Sequence, residues 1–322
     1  MMEDKIYGKF VSKEITKLDK KEEKLISKLL IDATLPLSKL ANELRLSKSN
    51  IARRINILEK REIILGYNAF IDTNKIGFKT YLLFIQTKCT DETKEKIIGD
   101  LAKLKFVYGI LELTGKYNLL IGTYSKENFE LNIEKILNLI EYRDFKIQEI
   151  VTYFPRVDYT KDLFSEKGDI NFNKEIIEVD KTDLEILKIL AKNCRITKTK
   201  IGERLNLSRE TINYRIKNLI KKGIIPKFQA GVNPFSLGFE AYLLRIILSK
   251  PTKKEAIIKF LANTLRCNTI LYSNFEILAF IHFKTHREYR ELEKKILPFK
   301  EAIFEYSFEM CKEQYKLEWF SE

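Results

Sequence analysis

Two short stretches, 47–61 and 208–222, hold the side chains of this chain best suited to read a polyanion. If the first is a helix, turning roughly 100° per residue, then Ile51, Ile55 and Leu58 share one side and Ser49, Arg53, Asn56 and Lys60 share the opposite one. An arginine fork matches the O6/N7 edge of guanine, and an asparagine amide matches the N6/N7 edge of adenine. Arg53 and Asn56 are therefore candidate base readers, whereas Lys60, near the helix end, suits a phosphate. Lys48 and Arg54 sit on the flanks, where they would approach phosphates and position the helix without reading sequence. The same rotation of the second stretch presents Glu210, Tyr214, Lys217 and Lys221, flanked by Arg209 and Arg215. Glu210 can accept from a cytosine amino group, and Tyr214 offers its ring to a thymine methyl. Double-stranded DNA is the expected partner, met by two faces of different chemistry.

The elements that must position these faces are themselves repeated. Residues 18–67 and 179–228 align without a gap at an offset of 161, and 14 of the 50 positions are identical, against about three expected from composition. Each copy reads as three helices. In the first, Asp19 caps Lys20–Asp32, Pro36 opens a short helix carrying Leu37, Leu40, Ala41 and Leu44, and Ser47 caps the reading helix. In the second, Asp180, Thr197 and Ser208 take the capping positions, and Gly223 stands where the third helix should stop. The stretch that follows, 63–71 or 224–232, suits a wing or a strand leading away.

Beyond each trihelical reader the pattern alternates in a βαββαβ order, as in ferredoxin-like folds. Strands are expected over 81–88, 107–114, 117–124 and 147–154, with helices over 92–104 and 128–141. The second copy runs in the same order from Tyr242 to about Lys312. The expected fold class is α+β, with two tandem units, each a winged helix-turn-helix followed by a ferredoxin-like domain. The boundaries are an extension 1–17, a reader 18–67, a ferredoxin-like domain 68–164, a linker 165–178, a second reader 179–228 and a second ferredoxin-like domain 229–322. The extension spaces Lys5, Lys9, Lys13 and Lys17 among Tyr7 and Phe10, the composition of a frayed or packed terminus.

Charge follows the same partition. The chain carries a formal +13, of which the two 50-residue readers hold +12, so the polyanion-seeking surface is local. The apolar runs are strand-length, far short of the roughly 20 residues of a spanning helix, and the N-terminus is polar, so no membrane role and a cytoplasmic location are expected. Cys89, Cys194, Cys267 and Cys311 are scattered with no CxxC pair, which argues against a zinc ribbon and a disulfide framework. No P-loop, dinucleotide fingerprint, nucleophile elbow or zinc-protease motif occurs, so no catalytic residue, metal or cofactor is expected. His282 and His286 have ligand spacing, but the first falls in an expected strand and the second at its end.

The order Leu18-Asp19, Leu46-Ser47, Arg54, Ile63-Ile64, Gly66-Tyr67, Gly77 and Gly115-Lys116-Tyr117-Asn118-Leu119 resembles the Lrp/AsnC (feast/famine) transcription regulators along nearly the whole chain. That resemblance implies a regulator built as two fused copies of a winged helix-turn-helix joined to a RAM domain. It also implies that Gly115, Lys116, Tyr117 and Asn118 line a site for a small effector such as an amino acid. The RAM domains would pair with each other inside the chain, across chains as a homo-oligomer, or both. The chain departs from the family pattern at Glu62, in place of a glycine, at Asn118, in place of an acid, and at Ser273-Asn274-Phe275-Glu276, in place of the glycine-tyrosine element. Sirohaem decarboxylases resemble the same architecture, which makes an enzyme one alternative, with His286 and Arg287 as its test residues. A DNA-organising protein of low specificity is another.

Overall fold

The computed structural model describes residues 15–153, 175–264, 266–317 and 320. Residues 1–14 of the extension and the greater part of the 165–178 linker lie outside them. The elements run α1 (Lys20–Ile31), α2 (Leu37–Leu44), α3 (Lys48–Lys60), β1 (Ile64–Phe70), β2 (Lys79–Thr87), α4 (Asp91–Lys103), β3 (Val107–Leu113), β4 (Leu119–Ser125), α5 (Phe129–Leu137) and β5 (Tyr142–Tyr153). They continue with α6 (Lys181–Lys192), α7 (Lys198–Leu205), α8 (Arg209–Lys221), β6 (Lys227–Val232), β7 (Glu240–Leu248), α9 (Lys254–Ala262), β8 (Cys267–Tyr272), β9 (Glu276–Phe283), α10 (His286–Ile296) and β10 (Ile303–Leu317). Both copies therefore have the expected order of three helices followed by βαββαβ.

Contacts divide these elements into two compact units, and the division cuts across the repeat. One gathers residues 17–78 and 173–233, the two readers; the other gathers residues 79–172 and 234–317, the two ferredoxin-like halves.

In the reader unit, the stretches that could have been wings pair with each other. β1 and β6 form a two-stranded antiparallel ribbon with Tyr67 opposite Ala230, Asn68 opposite Gln229 and Ala69 opposite Phe228. Because 68 and 229 are separated by the repeat offset of 161, a pseudo-twofold axis passes through that pair. Hydrogen bonds repeat about it. The Ala33 amide donates to the Phe228 carbonyl and the Cys194 amide to that of Tyr67, at 3.2 and 2.8 Å, while Asp72 donates to Ile224 and Asn233 to Ile63, both at 2.9 Å. α1 packs against β6 and α6 against β1, so each reader's first helix is seated on the strand of the other. Asn68 adds a bond from its side-chain amide to the Ala191 carbonyl at the end of α6, at 2.7 Å.

In the other unit, β2, β3, β4 and β5 make one four-stranded sheet and β7, β8, β9 and β10 the second. β10 pairs with β3 and β5 with β8, which closes the eight strands into a barrel in the order β10-β3-β4-β2-β5-β8-β9-β7. Closure removes the open edges that a lone sheet would present. Alternation along β2 shows why its sequence is apolar throughout: Leu82 and Phe84 face the shared barrel core with Leu243, Leu271 and Leu278, whereas Leu83 and Ile85 pack beneath the helices with Leu101 and Ile136.

Two expected boundaries moved by four residues or more. α5 stops at Leu137, and β5 begins at Tyr142, earlier than the expected 147, because 142–146 pair with β2 as far as Thr87. Glu62 occupies the left-handed region at φ 54°, where the second copy has Gly223 at 68°, so the first reader ends its third helix in a conformation that costs a non-glycine residue about 1–2 kcal/mol. All four cysteines are free thiols, three of them buried and Cys89 half-buried.

Candidate nucleic-acid interface

Each reading helix is set by its cap and its inner face. Ser47 and Ser208 accept from the third residue beyond them, Asn50 and Thr211, at 3.2 and 3.1 Å. The preceding turns pass through left-handed residues, Arg45 and Asn206, and are closed by amide bonds from Leu46 to Ala41 and from Leu207 to Gly202. Ile51, Ile55 and Leu58 are buried, as are their counterparts Ile212, Ile216 and Leu219. That burial fixes the helix rotation. Ser49, Arg53, Asn56 and Lys60 all lie exposed on α3, with Lys48 beside them, and Arg209, Glu210, Lys217 and Lys221 lie exposed on α8. Tyr214, an aromatic ring on a basic helix, is 66% exposed beside them.

Arg54 and Arg215 behave differently from the others. Both are half-buried, and both turn back to the first helix of their own reader. Arg54 donates to Asp19 at 2.6 Å and to the Asn50 side chain at 3.0 Å; Arg215 donates to Asp180 at 2.7 Å and to Asp183 at 2.9 Å. Asp19 simultaneously caps α1 through the amides of Lys21 and Glu22. These arginines, expected to flank the groove, brace the reading helix against the first helix. Recognising that needed a tertiary contact 35 residues distant in sequence, for which the linear pattern carries no signal.

The brace carries a pH signature. The Asp183 amide and then the Arg215 guanidinium hold the Asp180 carboxyl below its ordinary value of 3.8. A depressed carboxyl stabilises the fold above its unfolded-state value, and that stabilisation is lost as pH falls through the folded-state value. Arg215→Ala is accordingly expected to lower thermal stability at neutral pH by up to about 1 kcal/mol, the range of exposed ion pairs. The deficit should shrink in melts below pH 4; a deficit that grows there would contradict the brace.

The residues expected at an effector site share one turn between β3 and β4, and three of them are engaged within the chain. Lys116 lies 2.6 Å from Asp144, the Tyr117 hydroxyl donates to the same carboxylate at 3.1 Å, and the Asn118 side chain accepts from the Thr87 amide at 2.8 Å. Hydrogen bonds from Lys116 and Tyr117 hold the Asp144 carboxyl below its usual range. Gly115 meets Glu309 of β10 so closely that a β-carbon would lie 2.4 Å from its carboxyl carbon. Burial pushes that carboxyl up, and its Oε2 is buried with no hydrogen-bond partner. At the equivalent turn of the second copy, Glu276 is clamped by Lys146 at 2.8 Å and by Arg245, and Gln148 donates to Ser273 at 3.1 Å. The two turns are no longer chemically alike.

The histidines are dispersed. His282 is buried in β9, where burial pushes it down to about 4; His286 opens α10, stacked on Tyr289 and accepting from Arg290 at 3.2 Å. Among the described residues no group of three or more His, Cys, Asp or Glu could hold a metal ion, and no helix is long and apolar enough to cross a membrane.

One unit thus holds two helix-turn-helix readers joined by a ribbon, and the other holds two ferredoxin-like sheets closed into a barrel. A winged helix-turn-helix DNA-binding family matches residues 179–225. The chain is 43% identical over 77 residues to the HTH-type transcriptional regulator Ptr1 of Methanocaldococcus jannaschii, covering 24% of this chain and 52% of that protein. It is 30% identical over 123 residues to an uncharacterised HTH-type transcriptional regulator of Pyrococcus abyssi, covering 38% and 76%. The chain belongs to the HTH-type transcriptional regulators. It spans about half the length of several of the relatives it matches. The crystal structure of the siroheme decarboxylase NirDL has the same fold across both repeats, with a TM-score of 0.59 and 15% identity over 94% of this chain and 93% of that one.

Proposed function

We propose that this chain is a DNA-binding transcriptional regulator in which one polypeptide supplies both halves of the two-headed reader. The observation that carries this reading is the pseudo-twofold through Asn68 and Gln229, which relates two helix-turn-helix units whose exposed faces hold Ser49, Arg53, Asn56 and Lys60 on one side and Glu210, Tyr214, Lys217 and Lys221 on the other. Lys48 and Arg209 flank those faces at the phosphates. Arg54 and Arg215 act from behind, holding the helices at their angle. Affinity for duplex DNA should fall steeply with salt, because each neutralised phosphate releases condensed counterions. A nearly flat plot of log affinity against log salt would remove the proposal, and equal affinity for every sequence would replace it with a DNA-organising role.

A small effector such as an amino acid would act at the Gly115–Asn118 turn, a role supported by the unpartnered Glu309 oxygen beside Gly115. A second reading, tetrapyrrole chemistry, draws on the fold shared with NirDL. It requires a purified chain that binds a tetrapyrrole, ignores DNA and fails when the exposed Arg287 or its neighbour His286 is replaced.

A further inference from the structure

The two readers are related by a pseudo-twofold, yet their surfaces are not charged alike. In the second, Lys198 at the start of α7 donates to the Asn213 side chain on α8. Arg209 and Lys217 stand four residues before and after Asn213, hence on the same face of that helix, and all three cations are exposed. The positions equivalent to Lys198 and Asn213 in the first reader are Leu37 and Ala52, so this lysine–asparagine contact has no counterpart there. Arg204 of the second reader corresponds to Glu43 of the first, which is paired with Lys28 at 2.6 Å. Groove chemistry runs the other way. The first face offers Arg53 and Asn56, two side chains able to make bidentate base contacts, while the second offers Glu210 and Tyr214, a carboxylate that repels phosphate and a ring that makes apolar contact.

We infer that the readers divide the work: the second grips the DNA backbone through Lys198, Arg209 and Lys217 around Asn213, and the first supplies base discrimination through Arg53 and Asn56. This rests on the DNA-binding reading above. Phosphate contacts carry salt dependence and little sequence information, whereas base contacts carry sequence information, so the two roles separate in measurement.

The test uses the full chain with a selected duplex and a scrambled one, titrated over a range of salt. K198L/N213A, which gives the second reader the first reader's residues, should flatten the slope of log affinity against log salt by about 0.9, one phosphate, and weaken both duplexes equally. N56A should leave the slope unchanged and lower preference for the selected duplex by about tenfold. The reciprocal L37K/A52N should steepen the slope by about the same 0.9. The inference is overturned if K198L/N213A keeps the original slope while melting as the unmodified chain does, or if N56A weakens both duplexes alike. If the unmodified chain shows no salt-dependent binding, the DNA-binding reading falls as well; if it binds and only the variants disobey, the division of labour alone is lost.

Discussion

Selection from random duplexes with the full chain returns a site of two unlike halves, with centres near one helical turn apart or a multiple of it. The expectation follows from the ribbon of β1 and β6, which joins the readers about a pseudo-twofold while their exposed residues differ: Ser49, Arg53 and Asn56 on one, Glu210, Tyr214 and Lys217 on the other. Identical subunits would impose a palindrome. Replacing residues 208–222 by the sequence of 47–61 should convert the preferred site to one. The exchange is structurally mild, because the buried trio, the serine cap and the bracing arginine are the same residue types in both segments. A palindrome from the unmodified chain, or an unchanged site after the exchange, would show that the readers are equivalent.

Arg53→Ala has the next largest expected effect. Arg53 is exposed on the outer face of α3, opposite the buried Ile51, Ile55 and Leu58, so its removal should leave the melting temperature in place. On the preferred site the loss should be about 1–3 kcal/mol, roughly 5- to 150-fold in affinity, with discrimination relaxed at one base pair. Arg54→Ala should do the reverse, lowering the stability of the first reader and weakening all sequences together, since its partner is Asp19 and not the groove. Competition binding beside thermal melts separates the two; a base-specific loss from Arg54→Ala would mean that the helix rotation is wrong.

How much of this was legible beforehand depends on the range of the interaction. Caps are local, and Asp19, Ser47, Asp180, Thr197 and Ser208 could each be assigned from the residue and its position ahead of an apolar stripe. The outward faces of α3 and α8 followed from helical periodicity alone. The start of β5 did not, because Tyr142–Lys146 are a strand only by pairing with β2. The bonds of Arg54 to Asp19 and of Arg215 to Asp180 were illegible for the same reason, each pair being 35 residues apart. The wing or leading-away strand was left open by sequence; cross-pairing of the repeats decided it.

A fused pair of readers also changes how occupancy responds to the amount of protein. Regulators that assemble their two heads from separate subunits lose paired heads on dilution, and their operator occupancy climbs more steeply than linearly with concentration. Here the second head is covalently supplied, at an effective concentration that dilution does not alter. Occupancy of a full site by a single chain should therefore rise with the first power of total protein, down to trace levels, because the heads joined through β1 and β6 both come from that chain.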